Sequence, residues 1–355
     1  MKKVICSTAV ALAIGTLAYA QVEDLPRCPR PFEQGTILSP DKYPAAYNAG
    51  ARVEVRTCWD AFLTGTFLFW HASQDGMDIA YPTTIISVIP EVPQNSGFIT
   101  QHFNYQPGFK CGLGFNFSDD KWVGLFEYTY FRMKKSNSPK EPPVDIRGGT
   151  PVWQTTNWLD NSPAAVIIST KWKLKLDILD GTLSRPYYEG RKLTVQPFVG
   201  MRTAWLRQRF NISVIEYSSY ATVSHNQSNS WMIGPRAGCK GSWLLGKGFR
   251  FEGDFAGDLL YTRFNTVKHR QDSESIKFHH LFQIRPSADM ELGLGWGSYF
   301  DQQNYHFDLL ATYCFNVMWG QNQMRSLADD YQTHNGAEAG DLQIHGVNAS
   351  VRLDF

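Results

Sequence analysis

The 355-residue chain reads as all-β: an antiparallel, up-and-down transmembrane β-barrel of about ten strands, with 10 to 16 admitted by its long connections. Three observations predict this. Apolar and polar residues alternate with period two over runs longer than the ~3–10 residues of a soluble strand. No apolar stretch of ~18 residues follows the first twenty positions, so no helix is expected to span a bilayer. Connections are short and long by turns, the pattern of barrels with short periplasmic turns and long extracellular loops. A soluble sandwich also alternates, but keeps its charged face outside, its apolar face in a dry core and its strands short.

The elements follow in order. Residues 1–20 read as a signal peptide, with Lys2 and Lys3 first, an apolar stretch from Val4 to Leu17, and Ala18-Tyr19-Ala20 as the cleavage site before Gln21. No Cys stands at the new terminus, which argues against a lipid anchor. Residues 21–57 hold Pro and polar residues that resist helix and strand, and are expected to form a periplasmic or plug segment. The barrel is expected over 58–355. Its first staves are Trp59–Trp70, Phe103–Phe117, Trp122–Arg132, the run "TKWKLKLDI" and Leu193–Phe210. Trp231–Trp243, Phe249–Tyr261, Phe278–Trp296, Tyr305–Trp319 and Val347–Phe355 complete about ten. In Phe278–Trp296 almost every even position is apolar, while Gln283, Arg285, Asp289 and Glu291 occupy odd ones. Phe355 is expected to serve as a C-terminal assembly signal. In hydrocarbon such strands survive only in a closed sheet, because each unpaired backbone group costs several kcal/mol.

Charge and cysteine content narrow the partners. Thirty-four Lys and Arg against 33 Asp and Glu leave a net charge of +1, so no nucleic-acid partner is implied. The expected partners are outer-membrane lipid, the barrel-assembly machinery, disulfide-linked envelope proteins and a second copy of the chain. Without Cys6, the mature chain keeps Cys28, Cys58, Cys111, Cys239 and Cys314. That odd number leaves at least one thiol free or intermolecular; Cys28 and Cys58 are the candidate internal pair. Cys111 and Cys239 fall in the lipid-facing phase. No C-x-x-C and no Cys–His pair at ligand spacing occurs, so neither metal nor other cofactor is expected.

The candidate site is the lumen. Lys171, Lys173 and Lys175 alternate with Trp172, Leu174 and Leu176 as a basic ladder, and Glu252, Asp254 and Asp258 form an acidic one. Arg202, Arg236, Lys240, Arg250, Arg285, Asp289, Glu291 and Asp308 share the inward phase. These charges either build a constriction that screens ions or neutralise one another and fill the barrel. His225, His269 and His334 are expected in loops and His279 and His280 at a strand end. Without G-x-S-x-G or H-E-x-x-H, the chain is expected not to be an enzyme.

"CWDAFLTGTFLFWHASQDGMDIAY", "YQPGFKCGLGFNF", "WKLKLDILDGTLSRPYYEGRKLTVQPFVGMRTAWLRQ" and "WMIGPRAGCKGSWLLGKGFRFEGDFAGDLLY" stand in this order along the chain. They resemble successive hairpins of the chlamydial major outer membrane protein-like (MOMP-like) family, and are similar to the Legionella-type pore-forming outer-membrane proteins. The resemblance covers roughly residues 43–355. It implies an outer-membrane barrel with porin activity, passing ions or small solutes, and carries over no individual functional residue. The alternative is a non-conducting structural or adhesive surface protein whose loops carry the function.

Overall fold

The computed structural model describes residues 51–56, 60–87, 89–93, 97–117, 121–143, 150–155, 164–216, 220–272, 274–278, 280–333 and 339–355. The signal peptide, the Cys28–Cys58 pair, His279 and His334 lie outside the described residues.

Sixteen strands and one long helix follow one another among these residues. They are β1 (Ala61–Gln74), β2 (Asp78–Ser87), β3 (Ile89–Pro93), β4 (Ile99–Thr100), β5 (Tyr105–Asn116), β6 (Val123–Lys140), β7 (Thr150–Thr155) and β8 (Ala164–Ser184). Then come β9 (Tyr187–Glu189), β10 (Leu193–Glu216), β11 (Ala221–Gly246), β12 (Phe249–Gln271), β13 (Glu274–Phe278), β14 (Leu281–Phe300) and β15 (Tyr305–Asn322). Helix α1 (Gln323–Thr333) precedes β16 (Gly340–Asp354).

Ten strands close into an antiparallel barrel in the order β1-β5-β6-β8-β10-β11-β12-β14-β15-β16, and β16 returns to β1. Closure leaves no strand edge facing lipid, which meets the backbone's demand for partners. The seam runs from Phe62↔Asp354 to Gln74↔Leu342, and Ala61 and Phe355 exchange backbone hydrogen bonds of 3.0 and 3.2 Å. One end of the barrel carries this seam terminus and the short turns. At the other, β2 joins β3, β4 and β7 in a small extension of the sheet.

Large apolar side chains cover the outside: Phe249, Phe251, Phe255, Leu259 and Tyr261 on β12, and Phe282, Ile284, Met290, Leu292 and Leu294 on β14. At ~3.3 Å per residue and ~40° of tilt, Phe249 to Tyr261 spans about 30 Å of height, enough for a hydrocarbon layer.

Beyond that height the two faces exchange character. On β8, Leu179 and Leu183 point outward and Asp180 inward, but nearer the long-loop end Trp172, Leu174 and Leu176 are fully buried and the lysines between them point out. On β10, Val199, Met201 and Trp205 are exposed, whereas Leu206, Phe210, Ile212 and Val214 are buried. The strand keeps its faces; their surroundings change. Inside the membrane the outer face meets hydrocarbon, and beyond it the outer face meets water and the inner face becomes a dry core. The expected inward ladder of Lys171, Lys173 and Lys175 is therefore corrected: all three stand on the outer face.

The same continuation lengthens β8, β10, β11 and β12 to 21, 24, 26 and 23 residues. His225 and His269, expected in loops, lie on β11 and β12. The expected stave from Phe278 to Trp296 is broken at His280, whose φ of 53° ends β13 and starts β14. Helix α1 was not anticipated. Met324, Leu327 and Ala328 form its buried stripe at i, i+3 and i+4, and Leu327 packs with the inward Phe264 and Val267 at the mouth.

Candidate functional site

Within the membrane-height half, the inward positions carry charge. Arg202 stands at the centre: its Nε and Nη2 donate to Asp180 at 2.8 and 2.9 Å, and Nη1 reaches Asp258 at 2.9 Å and Asp289 at 2.8 Å. Arg236 Nη1 meets the same two carboxylates at 2.9 and 2.6 Å. Two guanidiniums thus hold three aspartates, and the Asp258 side chain is fully buried. Their planar forks suit this sharing; an ammonium has no such fixed geometry.

Further pairs extend the network. Lys110 reaches Glu291 at 3.3 Å, and Thr312 donates to the other oxygen of Glu291 at 3.0 Å. Lys240 lies 3.3 Å from Asp254, and Arg250 pairs with Asp308 at 2.7 Å and with Glu252. Arg352 and His306 hold Asp354 at 2.5 and 3.1 Å near the seam.

All of these groups except Asp258, Thr312 and Asp354 line a cavity of about 590 Å³. The short strap 51–56 crosses its short-turn end: Arg52 pairs with Asp60 at 2.7 Å, and the Arg56 amide donates to the Gln303 carbonyl at 3.0 Å. Above the charges, Phe131, Trp172, Leu174, Leu176, Leu206 and Phe210 are buried to within 1% and fill the lumen. Trp70, also buried, donates its indole N–H to Asn348 at 2.7 Å between the two zones.

Of the residues singled out by sequence, Arg202, Arg236, Lys240, Arg250, Glu252, Asp254, Asp289, Glu291 and Asp308 border the cavity, and Asp258 is packed against it. Arg285 has the inward phase but stands apart near Gly320, donating from Nε to Gln283 at 2.9 Å. Lys171, Lys173 and Lys175 do not join the group. Lys110, Glu127, Asp180, His306, Arg352 and Asp354 were missed. Lys110 is legible in "YQPGFKCGLGFNF", as the one charge on a glycine-rich face opposite Tyr105, Phe109 and Leu113. Asp180 is hidden by the exchange of faces along β8. Cys111 and Cys239 are free on the outer face and Cys314 is free inside. Among the described residues, no group of three or more His, Cys, Asp or Glu could hold a metal ion.

A closed antiparallel barrel with an aromatic-rich apolar exterior and a charged interior defines a β-barrel protein of the bacterial outer-membrane class. Residues 53–355 match the family described as the Legionella pneumophila major outer membrane protein precursor, and the chain belongs to that family. The structure is also similar to the outer membrane protease OmpT of Escherichia coli, at 9% identity and a TM-score of 0.42, over 83% of this chain and 96% of that one. The attachment invasion locus protein Ail of Yersinia pestis gives 7%, 0.24, 83% and 98% on the same measures. A Pseudomonas aeruginosa FadL homologue gives 10%, 0.26, 83% and 89%. No curated protein matches the sequence. The strap and short turns then belong to the periplasmic end and α1 to the extracellular mouth.

Proposed function

We propose that the barrel is a narrow, gated channel for small ions, with its charged periplasmic chamber as the selective part and the apolar zone above it as the gate. The observation that carries this reading is the ring of paired charges around the 590 Å³ cavity. Burying ion pairs usually stabilises a fold less than apolar filling of equal volume. A lumen kept charged over half its height is thus better explained by hydration and ion contact than by stability alone. Apolar constrictions gate by dewetting, and the Trp172–Leu176–Leu206 zone has that composition. A second reading, a non-conducting surface protein, is favoured by the completeness of that filling and by α1 in the mouth.

Planar-bilayer recording separates the two. The channel reading expects brief openings in the parent protein and higher conductance in a Leu176→Ala/Leu206→Ala variant. Silence of both, with heat-modifiable folding intact, supports the surface role. The same proposal takes residues 1–20 as a signal peptide cleaved after Ala20, and Phe355 as an assembly signal; the mass of the mature chain and the insertion yield of a Phe355 deletion test these.

A further inference from the structure

The exchange of faces leaves an unexplained concentration of positive charge on the outside of the barrel. On β6, β8 and β10, Arg132, Lys175 and Arg207 lie side by side in register, and one step further out so do Lys134, Lys173 and Arg209. Lys171 continues the line between Ser136 and Asn211. Cross-strand neighbours on one face are ~5 Å apart, so each row places three like charges in contact range, an arrangement that destabilises a sheet unless anions neutralise it. Among the described outward positions of β6, β8 and β10, Asp177 is the one carboxylate, and Arg132 and the Tyr128 hydroxyl already hold it at 2.6 and 2.7 Å. Among the described residues, no carboxylate pairs with Lys134, Lys171, Lys173, Lys175, Arg207 or Arg209.

Position identifies the partner. The row immediately inside these cations is Tyr130, Asp177, Trp205 and Trp231, the aromatic edge of the apolar belt. The Arg132 guanidinium lies 4.0 Å from the centre of the Tyr130 ring, tying the first basic row to that edge. Successive rows stand ~7 Å apart along the strand, which puts both at headgroup height rather than on a distant loop. The outward positions of β1, β5, β14, β15 and β16 hold no Lys or Arg, and β12 adds Arg263, Lys268 and Arg270 two strands from β10, so the cations gather on one side of the barrel, densest over β6, β8 and β10, and form no general collar.

We infer that this flank binds phosphate groups of the outer-leaflet glycolipid, seated over β6, β8 and β10 with its acyl chains against the aromatic edge. Lysines supply mobile point charges and the guanidiniums of Arg207 and Arg209 bidentate donors to a phosphate.

The full chain, folded in dodecylmaltoside micelles, is titrated with diphosphoryl lipid A and bound lipid counted by native mass spectrometry. Saturable binding is expected, at least tenfold weaker for enzymatically dephosphorylated lipid A. It should also weaken at least tenfold in a Lys173→Gln/Lys175→Gln/Arg207→Gln/Arg209→Gln variant whose folding is checked by heat-modifiable migration. A Lys173→Arg/Lys175→Arg variant should retain binding, and millimolar inorganic phosphate should not displace the lipid. Equal retention of dephosphorylated lipid, or undiminished binding by the folded quadruple variant, overturns the assignment. So does saturable binding of heparin without binding of lipid A, which would mark a site for a soluble polyanion.

Discussion

Single charges in the lumen differ in consequence because they differ in burial. Arg202 bridges three aspartates, so Arg202→Met leaves Asp180 without its guanidinium and Asp258 and Asp289 sharing Arg236 alone; a loss of about 3–5 kcal/mol is expected, measured by urea unfolding in lipid vesicles. Lys240→Gln breaks a pair whose ammonium is half-exposed and solvent-screened, and should cost about 1 kcal/mol or less. His269 lies well beyond the membrane belt, eight residues past Tyr261 and near Ser224, and burial pushes its pKa down to about 4 while Gln271 opposes the shift. The folded state holds it neutral and the unfolded chain protonates it near 6.5, so unfolding takes up a proton. Stability is complete above pH 6.5, falls as pH drops, and levels near pH 4, a loss of about 3 kcal/mol in all. Protection factors at the outer ends of β11 and β12, corrected for the intrinsic exchange rate at each pH, should fall from pH 7 to pH 5, and His269→Gln should remove that dependence.

At the level of elements, the alternation that revealed the strands was read correctly wherever lipid lies outside. It misled where lipid ends. On β12, from Phe249 to Tyr261, apolar means outward and the phase of Arg250, Asp254 and Asp258 followed. On the upper half of β8 apolar means inward, and a pattern of period two is identical in the two cases. Only an absolute landmark could have distinguished them, and the crossover itself supplies one: Ile178 and Leu179 are consecutive apolar residues, one facing in and the next facing out. The ten staves were legible because closure demands long regular runs. Helix α1 was not, since its stripe holds only Met324, Leu327 and Ala328 among polar residues. Leu176 and Leu206 are direct cross-strand partners, so trimming both to Ala is expected to cost about 2–5 kcal/mol each besides raising conductance. Urea unfolding read beside the bilayer recordings checks whether the two changes arise together.

For the molecule as a whole, the crossover makes a prediction about depth. Phe255 stands midway along the outward belt of β12, whereas Gln227 has the outward phase on β11 beyond the belt. Phe255→Arg should destabilise the vesicle-inserted protein by about 2–4 kcal/mol. Gln227→Arg should change stability by no more than about 0.5 kcal/mol. Equal costs would mean that the bilayer boundary lies elsewhere. The basic flank also bears on how the barrel remains where it is put. Its seven cations must cross the hydrocarbon once, during insertion, from the periplasmic side. Afterwards, withdrawal would drag the same cations back through the midplane, at ~2–4 kcal/mol each and thus on the order of 20 kcal/mol together. The flank then behaves as a one-way latch, giving the inserted orientation a lifetime set by charge rather than by the barrel's folding stability.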